Sequence, residues 1–176
     1  MMRCGGQGTR YKVQTLRHFE QQIGSMPAPY FALPSGFGRR VAIDYYRSRL
    51  NVVLCFLDDA DSEGTTRALQ ALAEQRPRYQ REEAEVLAVL PVPIEAVTEL
   101  QQSLKLPYPL LADPEGGTRC RFEALLTEAP PGGTLVFVLD RFNAPFAVLG
   151  GAPLDDPALQ REILEWLAFV GLQCPE

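Results

Sequence analysis

The sequence predicts an α/β fold in which helices cover both faces of a mixed central sheet. Three apolar runs, at 51–57, 86–92 and 134–139, are typical of strands buried on both faces. Helical patterns follow the first two runs, so right-handed crossovers would make these strands parallel. The third run is followed by a turn and an apolar segment at 145–149, which indicates an antiparallel partner. With 176 residues, the chain suits one domain.

Residues 1–25 are expected to form an N-terminal extension. Polar and Gly-rich residues come first, and an apolar pattern with helical spacing follows. This pattern predicts a short amphipathic helix that ends at Gly24; its apolar residues are Val13, Leu16, Phe19 and Ile23. The single histidine, His18, lies off the apolar stripe and is expected to be solvated.

The main domain is expected to span residues 26–172, with a tail at 173–176. Segments 28–34 and 39–43 predict a hairpin around the turn SGFG. The helix after the first buried strand should reach about residue 76, where Pro77 ends or kinks it. Further elements are expected in this order: a helix from Ile94 to Leu104, a strand at 108–112, a brief helix through Arg119 and Phe122, and a last helix capped by Asp156 with Pro157 at its first position.

Composition excludes several functions. The net charge is −5 and no segment concentrates Lys and Arg, so no nucleic-acid partner is expected. No apolar stretch is long enough to span a membrane, and no apolar region follows the N-terminal charge, so a cytoplasmic protein is expected. Four scattered cysteines, without a CxxC pair and with one histidine, argue against a zinc knuckle and for reduced thiols. No cofactor is expected.

The turn after the first buried strand is acidic. Asp59, Asp61 and Glu63 alternate as at the start of a calcium-binding loop, but Gln70 stands where such a loop places its bidentate Glu. Asp and Ser at a helix start also cap its free amides and complement its dipole. Capping and cation binding are therefore both open explanations of this turn.

Four segments together resemble the peroxiredoxins, the alkyl hydroperoxide reductase and thiol-specific antioxidant family. APYFALP and GRRVAIDYYRSRLNVVLCFL are similar to the family's opening hairpin and central strand. AEVLAVLPVPIEAVTELQQSLKLPYPLLADPEG is similar to its second strand, helix and "fpLLsDpdG" segment. LVFVLDRFNAPFAVLGG resembles its closing "FVIDrdG" hairpin, and the final helix ends the domain. The resemblance implies a thioredoxin-like fold of the peroxiredoxin type.

The resemblance also implies where catalytic groups would stand. The family places a cysteine in the first turn of the helix after the central strand, where helix amides lower its pKa. Aligned on that pattern, this chain has Gly64 at the cysteine, Asp61 at the threonine and Leu57 at the proline. The family's arginine falls at Thr134. The family's peroxidase mechanism is therefore not expected.

The function predicted from these residues is a binding or assembly module that is not a peroxidase. Its degenerate pocket would include Asp58, Asp61, Thr65 and Thr134. An alternative is a thiol-dependent oxidoreductase that uses a displaced cysteine, either Cys120, whose arginine neighbours would lower its pKa if it is exposed, or Cys55. A third is a cation-dependent activity at 58–63. The resemblance implies a homodimer, and a protein partner is also expected.

Overall fold

In the computed structural model, which describes residues 12–19, 27–128, 130 and 132–173, six strands form one sheet and two form a separate hairpin. The strands are β1 Gln14–His18, β2 Ala32–Pro34, β3 Arg40–Ala42, β4 Asn51–Phe56, β5 Ala84–Leu90, β6 Leu110–Ala112, β7 Leu135–Leu139 and β8 Pro145–Gly150. The helices are α1 Glu63–Arg81, α2 Ile94–Ser103, α3 Gly117–Glu123 and α4 Pro157–Gln173, and one 3-10 turn spans Ile43–Tyr46.

The large sheet has the strand order β1-β8-β7-β4-β5-β6. Strands β4, β5 and β6 are parallel, whereas β7, β8 and β1 are joined by antiparallel pairings. Val53 of β4 lies between Val86 of β5 and Val138 of β7. The predicted mixed sheet with two parallel central strands is thus confirmed.

Each face of the sheet is buried under a different layer. Apolar residues of α1, α2 and α4 pack on one face, and Leu69, Leu72 and Leu167 are fully buried there. Phe122 of α3 packs on the other face together with the β2–β3 hairpin and the 3-10 turn. Cys55 of β4 belongs to the first layer, so the central strand contributes to both cores. Within the described ranges, no helix has the length and apolar composition needed to cross a bilayer.

The helix predicted in the N-terminal extension is wrong for residues 14–18, which form strand β1. This strand pairs with β8, and the register shifts between Thr15 and Arg17. Val13 packs with one core and Leu16 with the other, because a strand at the sheet margin has two faces to bury. A spacing of three residues in so short a segment therefore fits a bulged strand as well as a helix. Ile23 and Gly24 lie outside the described residues.

His18 and Pro77 also differ from expectation. The His18 ring is half-buried, with its centroid 4.7 Å from that of Trp166 and 5.1 Å from that of Phe146. Pro77 does not end α1, which continues to Arg81. Tyr79 explains the continuation, because its side chain is fully buried and its hydroxyl donates a hydrogen bond to Gln160 of α4. A tertiary contact thus stabilises the turn that proline weakens.

Candidate functional site

A cleft of about 590 Å³ opens where β4 ends and α1 begins. The carboxyl end of a central parallel strand is the usual position of ligand sites in open α/β sheets. Segments before β7 and after β8 form the other walls. The lining residues are Lys12, Gln14, Leu57, Asp58, Asp59, Ser62, Gly64, Thr65, Arg67, Ala68, Gly132, Gly133, Thr134, Gly151, Ala152, Pro153 and Asp155.

The acidic turn caps α1. Ser62 is the N-cap residue, and its hydroxyl oxygen accepts a hydrogen bond from the backbone N–H of Thr65 at 3.1 Å. Asp59 Oδ1 accepts from the Ser62 N–H at 3.0 Å and from the Thr65 hydroxyl at 2.8 Å. These bonds, first that from the Ser62 backbone, lower the pKa of Asp59. The capping explanation of this turn is therefore confirmed for Asp59 and Ser62.

Arg119 of α3 connects the segments that form the cleft wall. Its guanidinium donates to Asp58 Oδ1 at 2.8 Å and to the carbonyl of Gly133 at 2.6 Å. It also reaches the carbonyl of Leu57 at 3.4 Å and pairs with Glu123 at 2.8 Å. From the sequence, Arg119 is expected in the brief helix and beside Cys120, and a role in the cleft is not predicted. The pairing with Asp58 joins residues 61 positions apart, so local sequence offers no signal for it.

Most of the predicted binding residues meet in the cleft. Asp58, Thr65 and Thr134 line it, and so does Gly64, whereas Asp61 is exposed and lies outside the lining. The turn uses Asp59, two residues earlier, to bind the helix start. Hence the structure brings together three of the four predicted residues.

Gly64 lies in the first turn of α1 with room for a side chain. An added Cβ would meet the Ser62 hydroxyl oxygen at 3.7 Å and Arg67 Nη2 at 3.9 Å, which are ordinary contact distances. The backbone there is helical, so a larger residue needs no unusual torsion angle. The absence of a side chain at position 64 is therefore not required by the fold.

Basic side chains contribute to the cleft, but they do not come from position 134, where the resemblance places the family's arginine. Position 134 holds threonine, but Lys12 and Arg67 line the cleft and Arg119 reaches its wall. Arg67 is already engaged, since its Nε lies 3.3 Å from Asp155 Oδ2. Positive charge near the cleft is thus largely neutralised by carboxylates of the same region.

Neither cysteine of the described residues lines the cleft. Cys55 is fully buried in the core, and burial raises the pKa of its thiol. Cys120 is exposed on α3. Its arginine neighbours bind elsewhere, because Arg119 holds the cleft wall and Arg121 donates to the carbonyl of Tyr30 at 2.6 Å. Cys4 and Cys174 lie outside the described residues.

The acidic turn offers no preformed metal site. In the part of the chain that the structure describes, no group of three or more His, Cys, Asp or Glu side chains is arranged to hold a metal ion. Asp58 is paired with Arg119, Asp59 caps the helix, and the Glu63 side chain is almost fully solvated. The hypothesis of a cation-dependent activity gains no geometric support from these residues.

Comparison with known proteins identifies the family. The model of the AhpC/TSA family matches residues 25–143, more than half of the chain. Among solved structures, peroxidoxin BcpB from Mycobacterium tuberculosis is 21% identical with a TM-score of 0.70, covering 85% of this chain and 98% of its own. Xanthomonas campestris peroxiredoxin Q is 14% identical with a TM-score of 0.66, covering 80% and 91%.

A Chlorobium tepidum structure described as a thiol:disulfide interchange protein DsbE is 21% identical with a TM-score of 0.64, covering 84% of this chain and 99% of its own. At these identities the structures establish the fold, and no curated protein matches the sequence. The fold and the family match confirm the resemblance seen in the sequence: the chain belongs to the AhpC/TSA family and has the thioredoxin-like fold of the peroxiredoxins.

Proposed function

We propose that this AhpC/TSA family member is not a peroxidase and that its cleft binds a ligand or protein partner without thiol chemistry. One observation carries the proposal: neither cysteine of the described residues lines the cleft. In the alignment drawn from the sequence, Gly64 stands where the family places its nucleophile. Among the residues that the structure describes, a peroxide that enters this cleft would meet hydroxyls, carboxylates and cations, but no sulfur.

The state of the helix start supports the same proposal. In an active thiol site, the amides and dipole at a helix start stabilise a thiolate. Here Ser62 and Asp59 already bind the first turn of α1, and the nearby carboxylates would oppose a second negative charge. The helix start is therefore stable without a thiolate, which is the condition for losing the nucleophile without losing the fold.

The alternative is an oxidoreductase with a displaced thiol, and the exposure of Cys120 is the observation that favours it. Cys55 is a poor candidate because burial raises the pKa of its thiol and shields it from peroxide. This alternative predicts one cysteine that reacts fast near neutral pH.

Thiol reactivity of the full chain decides between the two. The native protein is treated with iodoacetamide between pH 5 and pH 9, with and without prior hydrogen peroxide, and mass spectrometry reads each of the four cysteines. The proposal predicts that no thiol titrates well below about 8.5 and that none is rapidly oxidised. The proposal would be overturned by a cysteine that is alkylated fast at pH 7 and that prior treatment with peroxide protects from alkylation.

Restoring a thiol tests the assignment of position 64. Gly64→Cys fits the space beside Arg67, but the caps from Ser62 and Asp59 and the nearby carboxylates oppose a thiolate there. We therefore expect the alkylation rate of this thiol at pH 7 to stay within about threefold of that of the exposed Cys120. Gly64→Ser is the matched control, since it adds a side chain without sulfur. A folded Gly64→Cys variant that is alkylated at least about tenfold faster than Cys120 would show that this helix start still activates a thiol.

The binding part of the proposal needs a separate test. Gly64→Phe would project a ring into the cleft, whereas Gly117→Ala on α3 meets no atom within 4 Å. Partners recovered by affinity capture with the native chain should be lost with Gly64→Phe and kept with Gly117→Ala. Partners that both variants retain would argue against the cleft as the binding site.

A further inference from the structure

Arginine is concentrated in one short segment of this acidic chain. Residues 39–49 contain four arginines and one aspartate, although the whole chain carries a net charge of −5. The expectation that no segment concentrates Lys and Arg is therefore wrong for this stretch. The segment includes β3 and the 3-10 turn and ends just before β4 begins. It thus reaches the amino end of the central strand, whereas the cleft opens at the carboxyl end of that strand.

The arginines of this segment differ from several others in what they bind. Four arginines elsewhere in the fold each form an ion pair with a carboxylate, namely Arg67, Arg76, Arg119 and Arg141. Within the described residues, Arg39, Arg47 and Arg49 form no ion pair, and all three are exposed. The one acidic residue of the segment is Asp44, whose carboxylate accepts a hydrogen bond from the Asn143 side chain at 3.3 Å. The described part of the chain therefore leaves three guanidinium groups without a carboxylate.

Two tyrosines connect these arginines into one surface. The guanidinium carbon of Arg49 lies 5.2 Å from the centroid of the Tyr45 ring, which is 58% exposed. The rings of Tyr45 and Tyr46 lie edge to face, with 5.2 Å between their centroids. Burial raises the pKa of the Tyr46 hydroxyl to about 12, and the charge of Arg39 opposes that rise, so Arg39 lies near this hydroxyl. We name the patch made by Arg39, Tyr45, Arg47 and Arg49 the arginine–tyrosine surface.

We propose that the arginine–tyrosine surface binds an acidic segment of another protein, whose carboxylates pair with Arg39, Arg47 and Arg49. A guanidinium group binds a carboxylate through two parallel hydrogen bonds, which gives the pair both strength and a fixed geometry. Arginine and tyrosine are also among the side chains that contribute most to the binding energy of protein interfaces. An exposed tyrosine ring beside guanidinium groups that lack carboxylates is suited to such a partner.

Charge around the surface favours a protein segment over nucleic acid. The N–H of Ser48 donates to the carbonyl of Arg141, whose side chain pairs with the exposed Glu83. A carboxylate therefore borders the surface, in a chain whose net charge is already −5. A nucleic-acid backbone requires a longer basic track, and acidic neighbours would repel it. A short acidic segment needs to match only the three guanidinium groups.

This inference goes beyond the proposed function, because the surface and the cleft lie at opposite ends of β4. The probe is a fluorescein-labelled peptide of ten glutamates, and its fluorescence anisotropy is measured with the full chain. We expect a dissociation constant below about 100 μM in about 20 mM NaCl, and at least about a tenfold rise in about 300 mM NaCl, because salt screens the charges. A peptide that does not bind at the lower salt concentration would overturn the proposal. So would equally tight binding of a labelled single-stranded oligothymidine, because the surface would then select phosphates as well as carboxylates.

Variants locate the binding surface. Arg47→Glu and Arg49→Glu, made singly, should each raise the dissociation constant at least about tenfold, because a carboxylate there repels the glutamates. Arg161→Glu is the matched control, since it makes the same charge change at an exposed position of α4, on the other face of the sheet. It should change the dissociation constant by less than about twofold, and so should Gly64→Phe in the cleft. Circular dichroism and thermal unfolding confirm that each variant is folded. If Arg161→Glu weakens binding as much as Arg47→Glu and Arg49→Glu do, the peptide responds to net charge alone and the proposed surface is wrong.

Discussion

The polar side chains of the cleft and those of the buried core differ in what they bind. In the core, Gln101 is 3% exposed and bonds the backbone of three residues, donating to the carbonyls of Leu106 and Tyr108 and accepting from the N–H of Leu110. Tyr108 in turn donates to the carbonyl of Leu69 at 2.7 Å. These bonds hold α1 and α2 to the sheet.

In the cleft, most bonds stay within one turn of the chain. Asp59, Ser62 and Thr65 bond one another over seven consecutive residues. Arg119 and the pair Arg67–Asp155 add bonds between different elements. The comparison teaches that the helix start is held locally and the core is held by tertiary contacts. Residues of the cleft can therefore change without unfolding the protein, which explains how a family fold persists around an altered site.

The largest expected effect tests the core. Gln101→Leu leaves three buried backbone groups without partners and should lower the free energy of unfolding by about 3 kcal/mol. Gln102→Leu, at the neighbouring exposed position, is the control and should change it by less than about 0.5 kcal/mol. Urea unfolding measures both. Equal losses in the two variants would show that Gln101 does not hold the core as described.

Arg119→Met tests a long-range contact of the cleft wall. Arg119→Met keeps the apolar stem but removes the bonds to Asp58 and Gly133, and should lower the free energy of unfolding by about 1.5 kcal/mol because the Arg119 side chain is only 19% exposed. Arg121→Met, on the same helix, should cost no more than about 0.5 kcal/mol. If the two variants are equally stable, the cleft wall is held by other contacts.

Ser62 tests the local contacts of the cleft. Ser62→Ala removes the N-cap oxygen and should lower the free energy of unfolding by about 1 kcal/mol. Ser62→Gly should lower it by only a few tenths of a kcal/mol. Both values come from thermal or urea unfolding. A loss of about 3 kcal/mol would instead show that the bonds among Asp59, Ser62 and Thr65 stabilise the fold as much as those of the core.

The smallest expected effect concerns pH. Because the Ser62 N–H and the Thr65 hydroxyl lower the pKa of Asp59, its carboxylate stabilises the folded chain fully above its unfolded-state pKa of about 3.9, and this contribution is lost as pH falls through the folded-state pKa. Asp59→Asn should therefore be less stable than the native chain at pH 6.

The difference in the free energy of unfolding between Asp59→Asn and the native chain should narrow below about pH 4, where the native carboxylate becomes protonated. The control is Asp61→Asn, which removes an exposed carboxylate from the same turn. Its free energy of unfolding should differ less from that of the native chain. Unfolding curves from pH 3 to pH 7 give the comparison. A difference for Asp59→Asn that is constant over this range would mean that the carboxylate charge is not what binds the helix start.

The sequence by itself determined the parts of this protein whose signal is local. Continuous apolar runs were sufficient to predict β4, β5 and β7, because a strand buried on both faces must be apolar throughout. Asp156 and Pro157 were sufficient to predict the start of α4, and the Asp156 carboxylate accepts from the N–H of Ala158 as expected. The ordered motifs also predicted the family.

Only the tertiary structure decided the rest, because the deciding partners are distant in sequence. Segment 14–18 becomes a strand since β8 supplies its hydrogen bonds, and α1 passes Pro77 since Gln160 binds Tyr79. The cleft obtains an arginine from α3 rather than at position 134 for the same reason. Pairings across 61 to 136 residues leave no periodicity or spacing in the sequence, so they emerge only when the chain is folded.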